Sequence, residues 1–191
     1  MSDPAALLGG GLRQPDARSC GASVLVAARM LADPGYAAGV TPEVFARDAL
    51  ATHRRVTAVL GRGLQVPWPR ALGTPPWAVA RELSALASPG TPATRYAASV
   101  AVLRPGPAFD RVRTAVGSGR PAALYVGNRW SPRHVVLALP ASPSGPAVPQ
   151  LRVYEPASGR VVDVHRDAAA GHRLALAGWH RLWLVVVPAR A

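Results

Sequence analysis

The chain has no lysine and no isoleucine, one cysteine and one asparagine. Each scarcity excludes chemistry. Without lysine there is no Walker A loop to reach a phosphate, and no Schiff-base or pyridoxal phosphate enzyme. One cysteine forms no disulfide framework, no zinc finger and no cysteine-clustered iron site. The five histidines, at 53, 134, 165, 172 and 180, never fall at HxxxH spacing, so no helical metal pair is indicated and no cofactor is implied. No apolar run approaches the roughly 18 residues of a membrane span. Leu182 to Val187 is too short. The opening MSDPAALLGGGLRQ has no basic stretch ahead of its apolar residues, so it does not read as an ordinary secretory signal. The default expectation is a cytoplasmic protein.

What is present is arginine, alanine, glycine and proline, the signature of a GC-rich coding sequence. All 22 cations are arginines, against 10 acids, for a net charge of +12. They are scattered, with only Arg54 and Arg55 adjacent. No basic stripe or aromatic-interleaved motif appears, so a dedicated nucleic-acid role is not indicated. Salt-sensitive association with acidic partners is what such a charge favours. Hydrophobic residues make up 49% of 191 residues, enough for one domain with its own core.

The first half punctuates as helices. Residues 1–13, with three adjacent glycines, read as a flexible arm. Residues 20–32 carry apolar side chains at helical spacing, with Ser19 at the N-cap and Asp33-Pro34-Gly35 as a stop. Thr41-Pro42-Glu43 starts a second helix running to about His53. A loop with Gly61, Gly63, Pro67 and Pro69 precedes a third helix over about 76–87. The second half reads as a strand at 96–103, a helix at 107–117, then strands at 121–127, 134–140, 150–155, 160–165 and 179–188. Residues 141–149 form a proline-rich turn region. A helical half (20–87) followed by a sheet half (96–188) points to a single α+β domain rather than a doubly wound sheet.

Chemistry concentrates in Gln14-Pro-Asp-Ala-Arg-Ser-Cys20-Gly-Ala-Ser. Here a thiol opens a helix, where partial positive charge and unpaired N–H groups favour thiolate. The Cys20 N–H points to where an oxyanion would form, and Gln14 lies within reach to fold back on it. The alternative is a packing cysteine, a common fate of a lone thiol. His134 opens the apolar run 135–139, rigidly held with its ring accessible. His53 fits a helix end, and His165, His172 and His180 read as surface or packing residues. Glu155 ends the following strand, where antiparallel pairing brings it toward His134. Asp163 is a second candidate, farther along its strand. Of the tryptophans, Trp130 precedes His134 closely and is the candidate to border the site, together with Asn128 of the same loop. Trp68 and Trp77 are candidates to line a cleft from the helical side, while Trp179 and Trp183 read as core.

Taken together, the ordered motifs from Gln14 to about Val164 resemble papain-like cysteine peptidases. The closest branch is the bacteriocin-leader (C39) and C39-like peptidases. The motifs are Gln-x5-Cys-Gly-Ala-Ser, Gly-Thr-Pro-Pro-Trp-Ala-Val-Ala, Gly-Arg-Pro, Arg-His-Val-Val-Leu and Val-Tyr-Glu-Pro-Ala-Ser-Gly. The resemblance implies an α+β papain-like fold, with N-terminal helices carrying the cysteine packed on an antiparallel sheet carrying the histidine and acid. It implies Cys20 as nucleophile, His134 as base then acid, Glu155 as orienting group and Gln14 as oxyanion donor, acting on a peptide or protein substrate. The family usually shows Asp-Pro where this chain has Glu155-Pro156. Related folds also host acyltransferases, transglutaminases and deamidases, and catalytically inactive binding modules. Fold alone does not separate them.

Overall fold

In the computed structural model, residues 3–58, 60–61, 63–64, 73–86, 94–141 and 150–189 are described. Trp68, Pro67, Pro69 and most of the turn region 141–149 lie outside them.

In chain order the elements are α1 (Pro4–Leu8), α2 (Cys20–Ala32), α3 (Pro34–Ala38), α4 (Pro42–Thr57), the two-residue strands β1 (Leu60–Gly61) and β2 (Gly63–Leu64), and α5 (Pro76–Ala85). Then follow β3 (Tyr96–Val100), α6 (Pro105–Gly117), β4 (Ala122–Gly127), β5 (Pro132–Ala138), β6 (Gln150–Glu155), β7 (Arg160–His165), α7 (Arg166–Ala170) and β8 (Arg181–Pro188). Six strands form one antiparallel sheet in the order β3-β8-β4-β5-β6-β7. The chain is therefore α+β, with α1 to α5 ahead of the six-stranded sheet and α6 and α7 falling between its strands. Strands β4 to β7 follow sequence order, and the final strand returns to fill the place between β3 and β4.

The sheet is covered on both faces. Ala123, Tyr125, Val135, Leu137 and Tyr154 share one core layer with side chains of α2, α4 and α5. Leu124, Val126, Val136, Ala138 and Val153 share the other with α6 and α7. The alternation along each strand is the period-two rule of a pleated sheet. Strand β4 is buried at every position, which explains why it reads as a continuous apolar run rather than an alternating one.

Helix α2 is almost wholly enclosed, with ten of its residues buried. Its small side chains permit that close packing. Arg29 alone turns fully outward, its guanidinium 3.7 Å from the centre of the Tyr36 ring. Gly21 is needed as glycine, because a Cβ there would lie 2.6 Å from the Thr74 Cβ.

Three local expectations change. Asp33-Pro34 does end α2, but Asp33 also caps the next short helix by accepting from the Tyr36 N–H at 2.9 Å. Ser19 occupies the N-cap position of α2 without capping it. Its hydroxyl instead donates to the Asp16 carbonyl at 3.1 Å.

The third concerns residues 1–13. Here α1 packs against β6 and β7, Leu8 is fully buried in the core with Leu12, and Arg152 donates from its two terminal guanidinium nitrogens to the Asp3 carboxylate. The described part of the expected arm is thus laid onto the sheet. Among the described residues, no helix is long and apolar enough to cross a membrane.

Candidate active site

Cys20 is the first residue of α2 and is buried, 4% exposed. Residues at a helix start have N–H groups without an intrahelical acceptor, so local potential there is positive. The helix start meets the open end of the β5–β6 pair. In that pair Leu137 opposes Tyr154 and Ala138 opposes Val153. His134 and Glu155 lie just beyond the last of these pairs, at the same end of the ladder.

The side chains converge accordingly. His134 Nε2 and Glu155 Oε1 are 2.6 Å apart, both side chains buried. Cys20 is the other group acting on the ring, through its side chain and its charge, both of which favour the protonated imidazole. With Nε2 committed to the carboxylate, Nδ1 is the ring nitrogen left for the sulfur.

The Glu155 carboxylate is held by the turn that follows it. Its Oε1 accepts from the Ala157 N–H at 2.7 Å and its Oε2 from the Ser158 N–H at 2.8 Å. These two amides, and the Tyr125 described below, are parts of the site that the sequence reading passed over. The run Glu-Pro-Ala-Ser-Gly was the available signal for the turn.

Electrostatics follow from these contacts. Burial pushes the Glu155 carboxyl up. Hydrogen bonds from His134, Ser158 and Ala157 outweigh burial and hold the carboxyl at about 2. Burial pulls His134 down. The Cys20 side chain and the hydrogen bond to Glu155, with negative charge at both, outweigh it and raise the imidazole from 6.5 to about 9. The shifts run in opposite directions, the carboxyl down and the imidazole up, and both favour the charged forms of one pair. Beneath Cys20, Tyr125 donates its hydroxyl to the Thr74 carbonyl at 2.9 Å. Burial, together with charge at Cys20, keeps that phenol far above its usual range, so it remains a donor.

Gln14 sits on the loop leading into α2. Its backbone N–H donates to the Pro156 carbonyl at 2.8 Å, so the loop is fastened to the Glu155 turn. Its Nε2 donates to the Asp16 carbonyl at 2.8 Å, while Oε1 is buried without a partner. An amide nitrogen carries two hydrogens, so one remains for another acceptor.

The remaining candidates are placed differently. The Asn128 side-chain oxygen accepts from the Trp130 and Ser131 N–H groups at 2.8 and 3.0 Å, and the Asn128 carbonyl accepts from the Trp183 indole at 2.8 Å. Asn128 thus organises the β4–β5 loop. Trp130 is exposed, with Arg129 stacked 4.2 Å above its ring. Trp77 lies partly exposed on α5. His53 is buried within α4, near its end. Asp163 pairs across β6–β7 with Arg152 and takes no part in the convergence. Among the described residues, no group of three or more His, Cys, Asp or Glu is placed to hold a metal ion.

No protein-family model matches the chain, and no curated protein matches it. Among solved structures the chain is similar to the peptidase domain of Streptococcus ComA, a bi-functional ABC transporter involved in a quorum-sensing pathway. The two are 14% identical, with a TM-score of 0.41, over 94% of this chain and 98% of that one.

Proposed function

We propose that the protein is a papain-like thiol hydrolase that cleaves a peptide or amide bond through a Cys20 acyl-enzyme. The observation that carries this reading is the buried line from Cys20 through His134 to Glu155, closed by the 2.6 Å contact at its far end.

The chemistry follows from roles those groups can fill. The Cys20 thiolate, stabilised by the helix start and the imidazolium, attacks the carbonyl carbon. Electrons of the C=O bond move onto oxygen, which takes hydrogen bonds from the Cys20 N–H and the free Gln14 amide hydrogen. His134 Nδ1 gives its proton to the leaving amine as the C–N bond breaks. The neutral imidazole then takes a proton from water, which attacks the thioester and releases the acid and the thiolate. Glu155 holds the ring in the orientation that keeps Nδ1 on the sulfur, and its charge supports the imidazolium.

p-Nitrophenyl acetate tests this without knowledge of the natural substrate. The expected result is a burst of about one equivalent of p-nitrophenolate, an acetyl thioester on Cys20 by mass spectrometry, and slow release to water. No burst, or the same burst from Cys20→Ala, would overturn the reading and favour a binding module. Release chiefly to an added amine would assign an acyltransferase instead. Peptide-library digestion then supplies the substrate class.

A further inference from the structure

Gln14 stands at the end of a strap, residues 11–14, that is tied at Leu12, Arg13 and Gln14 to the residues around Glu155. The Tyr154 hydroxyl donates to the Leu12 carbonyl at 2.6 Å. Arg13 Nε donates to the Ser158 carbonyl at 3.0 Å. The Gln14 N–H donates to the Pro156 carbonyl. At the centre is Gly159, where the strap crosses the turn. Its φ is +66°, and a Cβ there would lie 2.8 Å from the Gly11 carbonyl carbon and 2.9 Å from both the Leu12 oxygen and the Arg13 Cγ. Only glycine permits that crossing, on both counts.

One short turn therefore does two things. Its Ala157 and Ser158 amides hold the Glu155 carboxylate, and its outer side holds the strap. We propose that Gly159, with the Tyr154 hydroxyl, is a positioning residue that sets the Gln14 amide at the oxyanion, so that strap and triad acid keep a fixed spacing. This inference rests on the thiol-hydrolase reading for the role of Gln14. The placement of the strap itself does not.

Two probes separate the effect from general damage. Acylation by p-nitrophenyl acetate passes through an oxyanion, whereas alkylation by iodoacetamide reports the thiolate alone and forms none. Losing one oxyanion donor costs about a hundredfold or more, so Gln14→Ala is expected to lower acylation on that scale while alkylation stays within about twofold. Gly159→Ala should show the same split, by about tenfold or more, and Tyr154→Phe a smaller one of the same sign. The double variant Gln14→Ala/Gly159→Ala should be no slower than Gln14→Ala, as expected when one residue acts through the other.

A parallel loss of both rates in Gly159→Ala would overturn the proposal, because the turn would then be acting through His134. So would an unchanged ratio, or additive losses in the double variant. If the wild-type Cys20 shows no enhanced acylation at all, the thiol-hydrolase reading fails, and amide exchange at Gln14 decides the strap on its own. Faster exchange in Gly159→Ala than in the wild type supports the crossing as the anchor. Equal exchange refutes it.

Discussion

Replacing Glu155 with glutamine keeps the side chain's volume and a hydrogen-bonding oxygen but removes its charge. His134 stands at about 9 because Cys20 and Glu155 together outweigh burial. Glu155 supplies one of the two charges behind that rise, so the variant's imidazole should titrate below the wild-type ring. At pH 8.5 the wild-type ring, at about 9, is about three-quarters protonated, and the variant's ring should be protonated to a smaller extent. NMR titration of the His134 ring protons, assigned by their loss in His134→Asn, reads this directly.

Stability follows with a definite sign. A carboxyl held at about 2 instead of 4.5 contributes up to roughly 3 kcal/mol. That contribution is complete above pH 4.5 and lost as pH falls toward 2. The raised His134 contributes fully below pH 6.5 and less as pH climbs through about 9. Both describe one ion pair and are not summed. Glu155→Gln should therefore lose most stability between pH 4.5 and 6.5, with the gap to wild type narrowing at pH 3 and at pH 9 in denaturant unfolding. An unmoved His134 midpoint, or a constant gap at all three pH values, would refute the reasoning.

Other outcomes are equally open to measurement. Gly21→Ala forces a Cβ into the Thr74 side chain and should cost about 1–3 kcal/mol by overpacking, read by thermal unfolding, whereas a neutral result would show that Thr74 yields. Leu8→Ala removes a fully buried side chain and should cost about 2–5 kcal/mol, while a loss below about 0.5 kcal/mol would mean that α1 is not part of the core. Cys20→Ala should abolish burst acylation and also return the His134 titration toward neutrality, since the sulfur is a cause of its elevation. A midpoint still near 9 would place that cause on Glu155 alone.

Local punctuation carried most of the fold. Thr41-Pro42-Glu43 opens α4 where expected, the Thr41 hydroxyl accepting from the Val44 N–H, and α2 spans the residues its spacing predicts. The strands of the second half fall within a few residues of expectation because each is short, apolar and bounded by turn residues. The convergence of His134 and Glu155 was legible because antiparallel order brings one strand's start beside the next strand's end.

Long-range partners were not legible. Three glycines ahead of Leu12 read as slack, but the Leu12 carbonyl is held by Tyr154 and the Asp3 carboxylate by Arg152, 142 and 149 residues away in sequence. The α6–α7 layer on the second sheet face was not anticipated as a layer, since α7 is only five residues long. Asn128 had no sequence signal that its amide closes a loop. Gly159 gave no sign that a strap crosses it, because a lone glycine after a turn commonly needs no neighbour at all.

The central claim is that the folded chain makes Cys20 a nucleophile, and alkylation by iodoacetamide at pH 7 tests it most directly. Native Cys20 should react about tenfold or more faster than the same residue in the guanidinium-unfolded chain, where an ordinary thiol is mostly protonated. The advantage should shrink in His134→Asn. Equal rates in folded and unfolded protein would contradict the account and leave Cys20 as a packing residue.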